Sequence, residues 1–445
     1  MYEKELFSAE LQKEIKDRFY YVDCDPHIGA KRLFFENAGG SYRLKAAVEA
    51  GSDKDAYPDC PDRDHHSARW LNDILNRGME DIRVIFNAKS GVIATDLTAT
   101  QVMFNMVRTI VQNVEGTNMV TTALEHPSAF DAVNYYADKY GKELRVADTS
   151  NETGGVEAED IVKLIDRDTV LLSVMHASNF SGAAMNIEKI VRMAREIKPE
   201  LYIVVDGVQH AAHGIFDVEK APVDGMNFGP YKFFGCRGIG VGYLSDRLAN
   251  LPHHKVIRKP QNEWRLGSPV PMQMASISAV VDYVCWLGGQ FAGADCNGSD
   301  CEAAAASRCG KSVDVGRRQL FVEGMKRISL HEKALLERML DGTESVPGLR
   351  HISGVKVCPD CRDLTNRDLI VPVVFEGADH GEIVKEYERR GVILRETPMS
   401  SMFFDRILGS FGMDGALRVS PLHCHGAEDI DEYLKITKKI AESLR

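Results

Sequence analysis

Five short apolar runs separated by helix-patterned segments limit the folds open to this chain. They read "NMVTTAL", "TVLLSVMHAS", "LYIVVDG", "MNFG" and "GIGVGYLS". Between and around them lie "SAFDAVNYYADKYG" and "IEKIVRMAREIK", with apolar residues at helical spacing. Strands this uniformly apolar are buried on both faces, which calls for a largely parallel sheet covered by helices. "PMQMASISAVVDYVCWLGG" then reads as a helix leading out of this unit. From about residue 312, "VGRRQLFVEGMKRISLHEKALLERML" is a long helix pattern, followed by the strand-like "DLIVPVVFEG" and "GALRVSPLH". The last helix, "AEDIDEYLKITKKIAESL", has the acidic first turn that the helix dipole favours. The expectation is an α/β protein: an N-terminal arm over 1–30 packed with the smaller unit, a large domain over 31–290, a cysteine-bearing insertion over 291–311, and a small α+β domain over 312–445.

A length of 445 residues accommodates such a pair of units. The net charge of −11, without a basic run, argues against a nucleic-acid groove or an anionic membrane surface as partner. The opening "MYEKELFSAELQKEIKDRFYYVD" lacks the apolar core of a secretory signal, and no apolar stretch is long enough to span a bilayer. The expectation is a cytoplasmic protein. The ten cysteines form no regular framework. Cys358 and Cys361 give one "CPDC", and Cys296, Cys301 and Cys309 sit in a small-residue stretch; without a second CxxC, unpaired thiols are expected and a metal is not.

Chemistry concentrates at strand ends, where ligands bind in sheets of this type. Asp206 closes "LYIVVD", and Gln209 follows three positions later. A carboxylate ending a buried strand needs a cation or strong donor opposite it. Lys232 follows another short strand, among aromatic and glycine residues in "DGMNFGPYKFFGCRGIGVGYLS". Apolar surroundings pull an amine's pKa down and make it nucleophilic toward a carbonyl. Taken singly, each residue reads equally as a cap or a solvated side chain. Jointly they suit a ring whose protonated nitrogen meets Asp206 and whose aldehyde meets Lys232, as in pyridoxal phosphate. The glycines of "GCRGIGVG" are not a nucleotide fingerprint, because the run leads into a strand rather than opening a helix.

The block from "VVDGVQHAAHG" to "GVGYLS" resembles the pyridoxal-phosphate enzymes of the class V aminotransferase superfamily, fold type I, in the cysteine desulfurase-like and isopenicillin N epimerase-like branch. The likeness extends from "LFFENAGGSYRLKAAVEA" to "ALRVSPLHCHGAEDIDEYL". It implies that Lys232 links covalently to the cofactor and moves a proton at the substrate α-carbon, that Asp206 pairs with the ring nitrogen, that Gln209 approaches the ring hydroxyl or the imine, and that Asn179 faces the ring oxygen. His126, in "TTALEHPSAF", would stack on the ring. Thr98, Ala99 and Thr100 would open a phosphate-binding helix, with Tyr231 beside the lysine. Arg418, in "LRVSP", would clamp the substrate carboxylate, near Asn37. Ser268, in "EWRLGSPVP", would reach the phosphate from a second subunit, which implies a homodimer with sites at the interface.

Three departures stand out from the family pattern. Gly229 replaces the serine that binds phosphate three residues before the lysine, Tyr231 replaces a frequent histidine, and Cys236 stands where proline is common. The stretch "RETPMSSMFFDRILGSFGMDGAL" carries no cysteine where desulfurases place their nucleophile, and Cys424 lies six residues past Arg418. The expected activity is therefore a carbon–sulfur lyase working by β-elimination on a small amino acid. Transamination or epimerisation is the alternative, and a degenerate cofactor-binding sensor a third reading. Substrate selection is expected from 56–70, with His65, His66 and Arg69, from 292–310, and from 396–404.

Overall fold

A computed structural model describes residues 2–58, 60–291 and 316–444. The stretch with Cys296, Cys301 and Cys309, expected to be an insertion, lies outside the described residues. Thirteen strands occur among the described residues: β1 (Leu33–Phe34), β2 (Val92–Asp96), β3 (Asn118–Thr122), β4 (Glu143–Ala147), β5 (Thr169–Met175), β6 (Tyr202–Asp206), β7 (Gly225–Phe228), β8 (Gly240–Leu244), β9 (Val355–Val357), β10 (Val371–Phe375), β11 (Val392–Ile393), β12 (Arg395–Pro398) and β13 (Gly415–Val419).

Seven strands form one sheet in the order β2-β8-β7-β6-β5-β3-β4. All its pairings are parallel except those of β8, which runs antiparallel to both β2 and β7. Every residue of β3, β5, β7 and β8 is buried, as continuous apolar strands between two helical layers must be. The helix Ala99–Asn113 presses Val102, Met103, Met106, Val107 and Ile110 onto one face. On the other face, Ile190, Val191 and Ala194 of the helix Ile187–Ile197 join the larger core cluster.

A four-stranded antiparallel sheet, β12-β13-β10-β9, is built from the C-terminal third. It packs with the helices Arg317–Asp341, His380–Arg389 and Ala427–Ser443 around a separate core. The N-terminal segment runs along this part of the molecule. Tyr2 N–H donates to Glu337, Phe7 N–H to His331 Nδ1, and Gln12 Nε2 to the carbonyl of Cys424, while Lys16 pairs with Asp429. Strand β1 adds in parallel to β11, so chain from both ends meets beside the two sheets.

Candidate active site

The carboxyl ends of β3, β5, β6 and β7 open onto one cavity of about 360 Å³. Its wall includes His126, Asn179, Asp206, Gln209, Tyr231 and Lys232, with Thr98, Ala99 and Thr100 at one end.

Asp206 is the last residue of β6 and is buried. Burial lifts its carboxyl above the usual range, while the Val208 N–H, 3.0 Å from Oδ1, and the Lys232 amine act the other way. Lys232 closes the short turn Pro230–Lys232 after β7 and is only 8% exposed. Burial first, then the Arg418 guanidinium, bring its amine down to about 8, with Asp206 opposing. Two residues on, Phe234 adopts φ 62°, a left-handed backbone costly for an aromatic residue. Its N–H donates to Ser41 Oγ and its ring packs edge-on to Phe19 and Tyr283. This packing holds the strained turn that presents the lysine.

His126 caps the helix Pro127–Lys139. Its Nδ1 accepts the Ser128 N–H at 3.1 Å, which leaves the proton of the neutral ring on Nε2. Burial, then Lys232 and Arg418, hold its pKa near 3, so the ring stays neutral at any working pH. Its neighbour Glu125 is fully buried. Burial lifts that carboxyl to about 8 although Thr122 Oγ1 and the Met175 N–H both donate to its Oε1.

Lys232 Nζ donates to Gln209 Oε1 at 3.4 Å, and the Gln209 amide nitrogen lies 3.4 Å from His213 Nε2. His213 Nδ1 is 2.7 Å from Glu332 Oε2. Burial opposes a charged imidazole here, but the Glu332 carboxylate outweighs it and lifts His213 to about 9. His213 Nδ1–H donates to Glu332, and the charged ring carries a second proton on Nε2, so the Gln209 amide has to present its oxygen rather than its nitrogen to the imidazole.

Arg418, on β13, is buried. Nη1 donates to the carbonyl of Asn179 at 3.0 Å and Nη2 to Glu36 at 2.5 Å, while Nε has no partner. Thr98 caps the helix Ala99–Asn113 by accepting the Gln101 N–H, so its hydroxyl is engaged, whereas the N–H groups of Ala99 and Thr100 have no backbone acceptor.

Comparisons with known proteins agree with this geometry. The family model described as Aminotransferase class-V matches residues 33–288, more than half of the chain. The chain belongs to the class-V aminotransferase family. A cysteine desulfurase of Wigglesworthia glossinidia brevipalpis is 23% identical over 391 residues, 86% of each protein. Cysteine desulfurase IscS of Dictyoglomus turgidum is 26% identical over 186 residues, 41% of this chain and 46% of that protein. A probable cysteine desulfurase of Mycoplasma genitalium is 27% identical over 48% of this chain and 53% of that protein. The chain thus spans about half the length of these last two relatives. Among solved structures, the cysteine desulfurase of Thermococcus onnurineus NA1 superposes with a TM-score of 0.74 at 18% identity, over 93% of this chain and 95% of that one. CsdA of Escherichia coli gives 0.71 at 18% identity over 97% and 98%. The largely parallel sheet read from the strand pattern, and the fold type I architecture that the resemblance implied, are the fold observed.

Of the residues singled out in the sequence, Thr98, Ala99, Thr100, His126, Asn179, Asp206, Gln209, Tyr231 and Lys232 all line the one cavity. Asn37 does not. Its amide donates to the carbonyls of Phe34 and Ser420 and accepts the Tyr42 N–H, so its polar atoms are spent on the backbone. Ser268 is exposed and outside the cavity. His65 caps the helix His66–Phe86 and Arg69 pairs with Asp64, both away from the cavity wall. No cluster of His, Cys, Asp and Glu suited to a metal occurs among the described residues. Cys424 is fully buried, and burial pushes its thiol well up. The sequence reading passed over Glu36, Glu125, His213, Arg237, Glu332 and Arg395. The repeated "LR" of "VILRE" and "ALRVS" held a usable signal for Arg395, since paired strands place such residues side by side.

Proposed function

We propose that this class-V aminotransferase binds pyridoxal phosphate in the cavity and catalyses β-elimination on a small amino acid, breaking a carbon–sulfur bond. The observation that carries the reading is a buried amine, Lys232, held near pKa 8 in the same cavity as a buried strand-end carboxyl, Asp206. The wall suits the cofactor. Asn179 Oδ1 is buried without a partner, and the N–H groups of Ala99 and Thr100 stand at a positive helix end. Bound pyridoxal phosphate supplies an electron sink for the pair left when a bond at the α-carbon breaks.

The chain's own residues supply the rest. Asp206 holds a proton at the ring nitrogen. Lys232 at about 8 gives up its proton readily near neutral pH, so it can take the α-proton and return it. His126, neutral, covers the ring face and excludes water. Arg418 offers Nε and Nη2 to the substrate carboxylate, with Glu36 giving way at Nη2. Gln209 stands between the amine and the buried His213–Glu332 pair.

The stretch before Arg418 has Met399, Met402 and Phe403 exposed, with Phe403 stacked toward His126 at 6.5 Å, and no thiol. A sulfur atom therefore leaves with its own electron pair rather than by transfer to a protein thiolate. The exposed Val256, Ile257, Leu266 and Val270 flank Ser268 and support a homodimer in which this segment approaches the partner's phosphate end. Unpaired thiols at Cys236, Cys285, Cys358, Cys361 and Cys424 favour a reducing compartment, and we place the protein in the cytoplasm.

The deciding experiment incubates the loaded protein with a panel of amino acids and measures sulfide, keto acid and the amine form of the cofactor. Keto acid with sulfide and no aminated cofactor is expected. Accumulation of aminated cofactor would replace elimination with transamination, and loss of optical activity alone with epimerisation. Binding without turnover would leave a sensor.

A further inference from the structure

We infer that Arg237 supplies the cationic phosphate anchor that Gly229 cannot, as part of a concerted rearrangement of Gly229, Tyr231 and Arg237. The inference rests on the reading of the cavity as a pyridoxal-phosphate site.

The rearrangement is visible in the contacts. A Cβ at Gly229 would come within 2.9 Å of Tyr231 Cε1, and Ala99 lies next to the same spot. The tyrosine ring thus occupies the space a serine at 229 would need, so serine and this ring position exclude each other. Arg237 lies over that ring, with its guanidinium carbon 4.6 Å from the centroid, and its Nη2 reaches Gly40, where a Cβ would stand 2.9 Å away. Stacking fixes the plane of the guanidinium without using its N–H groups.

The loop bearing Arg237 is braced and faces the helix end. Buried Gln273 donates through Nε2 to the Arg237 carbonyl at 2.9 Å, and the neighbouring Cys236 N–H donates to Ser276 Oγ at 3.2 Å. Gly238 turns at φ +93°, and Gly240 then runs so close to the helix Ala99–Asn113 that a Cβ would sit 2.2 Å from the Ala99 nitrogen. Arg237, Gly238 and Ile239 therefore share a wall of the cavity with Leu97, Thr98, Ala99 and Thr100.

The charge balance of this wall asks for an anion. Among the described residues the Arg237 guanidinium has no acid and no hydrogen-bond acceptor. Another cation lies close enough to feel it: burial and then Arg237 bring Arg43 down to about 10. Arg43 Nη1 is engaged by the carbonyls of Ser41 and Tyr231. A guanidinium on the cavity wall beside a helix N-terminus, with no ion-pair partner among the described residues and a second guanidinium acting on it, is relieved by a dianion. The substrate carboxylate already has Arg418, on the other sheet.

The test compares two aldehydes that differ only in the phosphate. Affinity of apo wild type and Arg237→Gln for pyridoxal phosphate and for unphosphorylated pyridoxal is read from chromophore formation. Trapping with borohydride confirms Lys232 as the site of attachment. In Arg237→Gln the affinity for the phosphorylated aldehyde is expected to fall about ten- to a hundredfold. Pyridoxal affinity should stay within about twofold, and Arg237→Lys should recover part of the loss, a charge effect that a packing role would not produce. Equal loss for both aldehydes, or no loss for either, overturns the inference while leaving the cofactor reading intact. A raised KM for an acidic substrate with unchanged cofactor affinity also overturns it, assigning Arg237 to the substrate. Failure of wild type to form a chromophore with either aldehyde ends the cofactor reading itself, and this inference with it.

Discussion

Arg395 and Arg418 are directly opposed across the antiparallel pair of β12 and β13, and a single acid, Glu36, answers them by accepting from Arg418 Nη2. Both guanidiniums act on the cavity, since each depresses the Lys232 amine. A substrate carboxylate using the Nε–Nη2 edge of Arg418 meets one free N–H and one that Glu36 already holds.

Glu36→Gln is therefore expected to act in two directions. It leaves a buried arginine without its charge partner, which should cost the unliganded protein about 3 kcal/mol in a urea titration. It also removes the competitor at Nη2, so a simple carboxylate such as propionate should protect the variant against urea more strongly than it protects wild type. Arg418→Ala should lower kcat/KM by about a hundredfold or more while Lys232 still takes up the cofactor.

Lys232 provides a pH-linked stability test on the apo protein. Its amine sits at about 8 in the fold against an ordinary 10.5. Between those values the unfolded chain binds more protons than the native one, so stability rises with pH across that window. Below pH 8 the full penalty, about 3 kcal/mol, applies. Lys232→Met should therefore melt higher than wild type at pH 7, with the gap closing toward pH 10. Thermal melts of both proteins at the two pH values check this.

The pair of His213 and Glu332 is open to direct titration. Burial lowers the histidine, and the adjacent Glu332 carboxylate, helped by Asp368, lifts His213 to about 9. In Glu332→Gln the His213 imidazole should lose its proton below pH 6.5, whereas in wild type it keeps it past pH 8. Nitrogen-resolved NMR of histidine side chains reads the difference.

The exposed segment around Ser268 predicts the oligomeric state. Ile257 is 92% exposed, which is costly for an isolated chain. Ile257→Asp should shift the protein from dimer to monomer in sedimentation, and Ser268→Ala should keep the dimer but weaken cofactor affinity severalfold.

The parallel core was legible because β3, β5 and β6 are short, largely apolar and fully or almost fully buried runs, and Asp206 and Lys232 follow the ends of such strands. Strand β2 was hidden: "VIATD" runs into the turn that opens the next helix and pairs only with β8 at the sheet edge. Where the amide of Asn37 points could not be read from sequence, and in the fold the backbone takes all of it. Glu332 and His213 meet across 119 residues, and Glu36 and Arg418 across 382, which no local pattern encodes. Charged side chains that find partners this far away are visible only once the fold has closed.

The lysine follows a strand of one sheet and the opposed arginines stand on the other, so on the proposed reading the grip on the substrate and the reacting amine come from different sheets. A slight change in the angle between them would swing a gripped molecule about its anchored end and present a different bond to the ring. On that reading, the angle between the two sheets would bear on which reaction is favoured as much as any group that handles a proton.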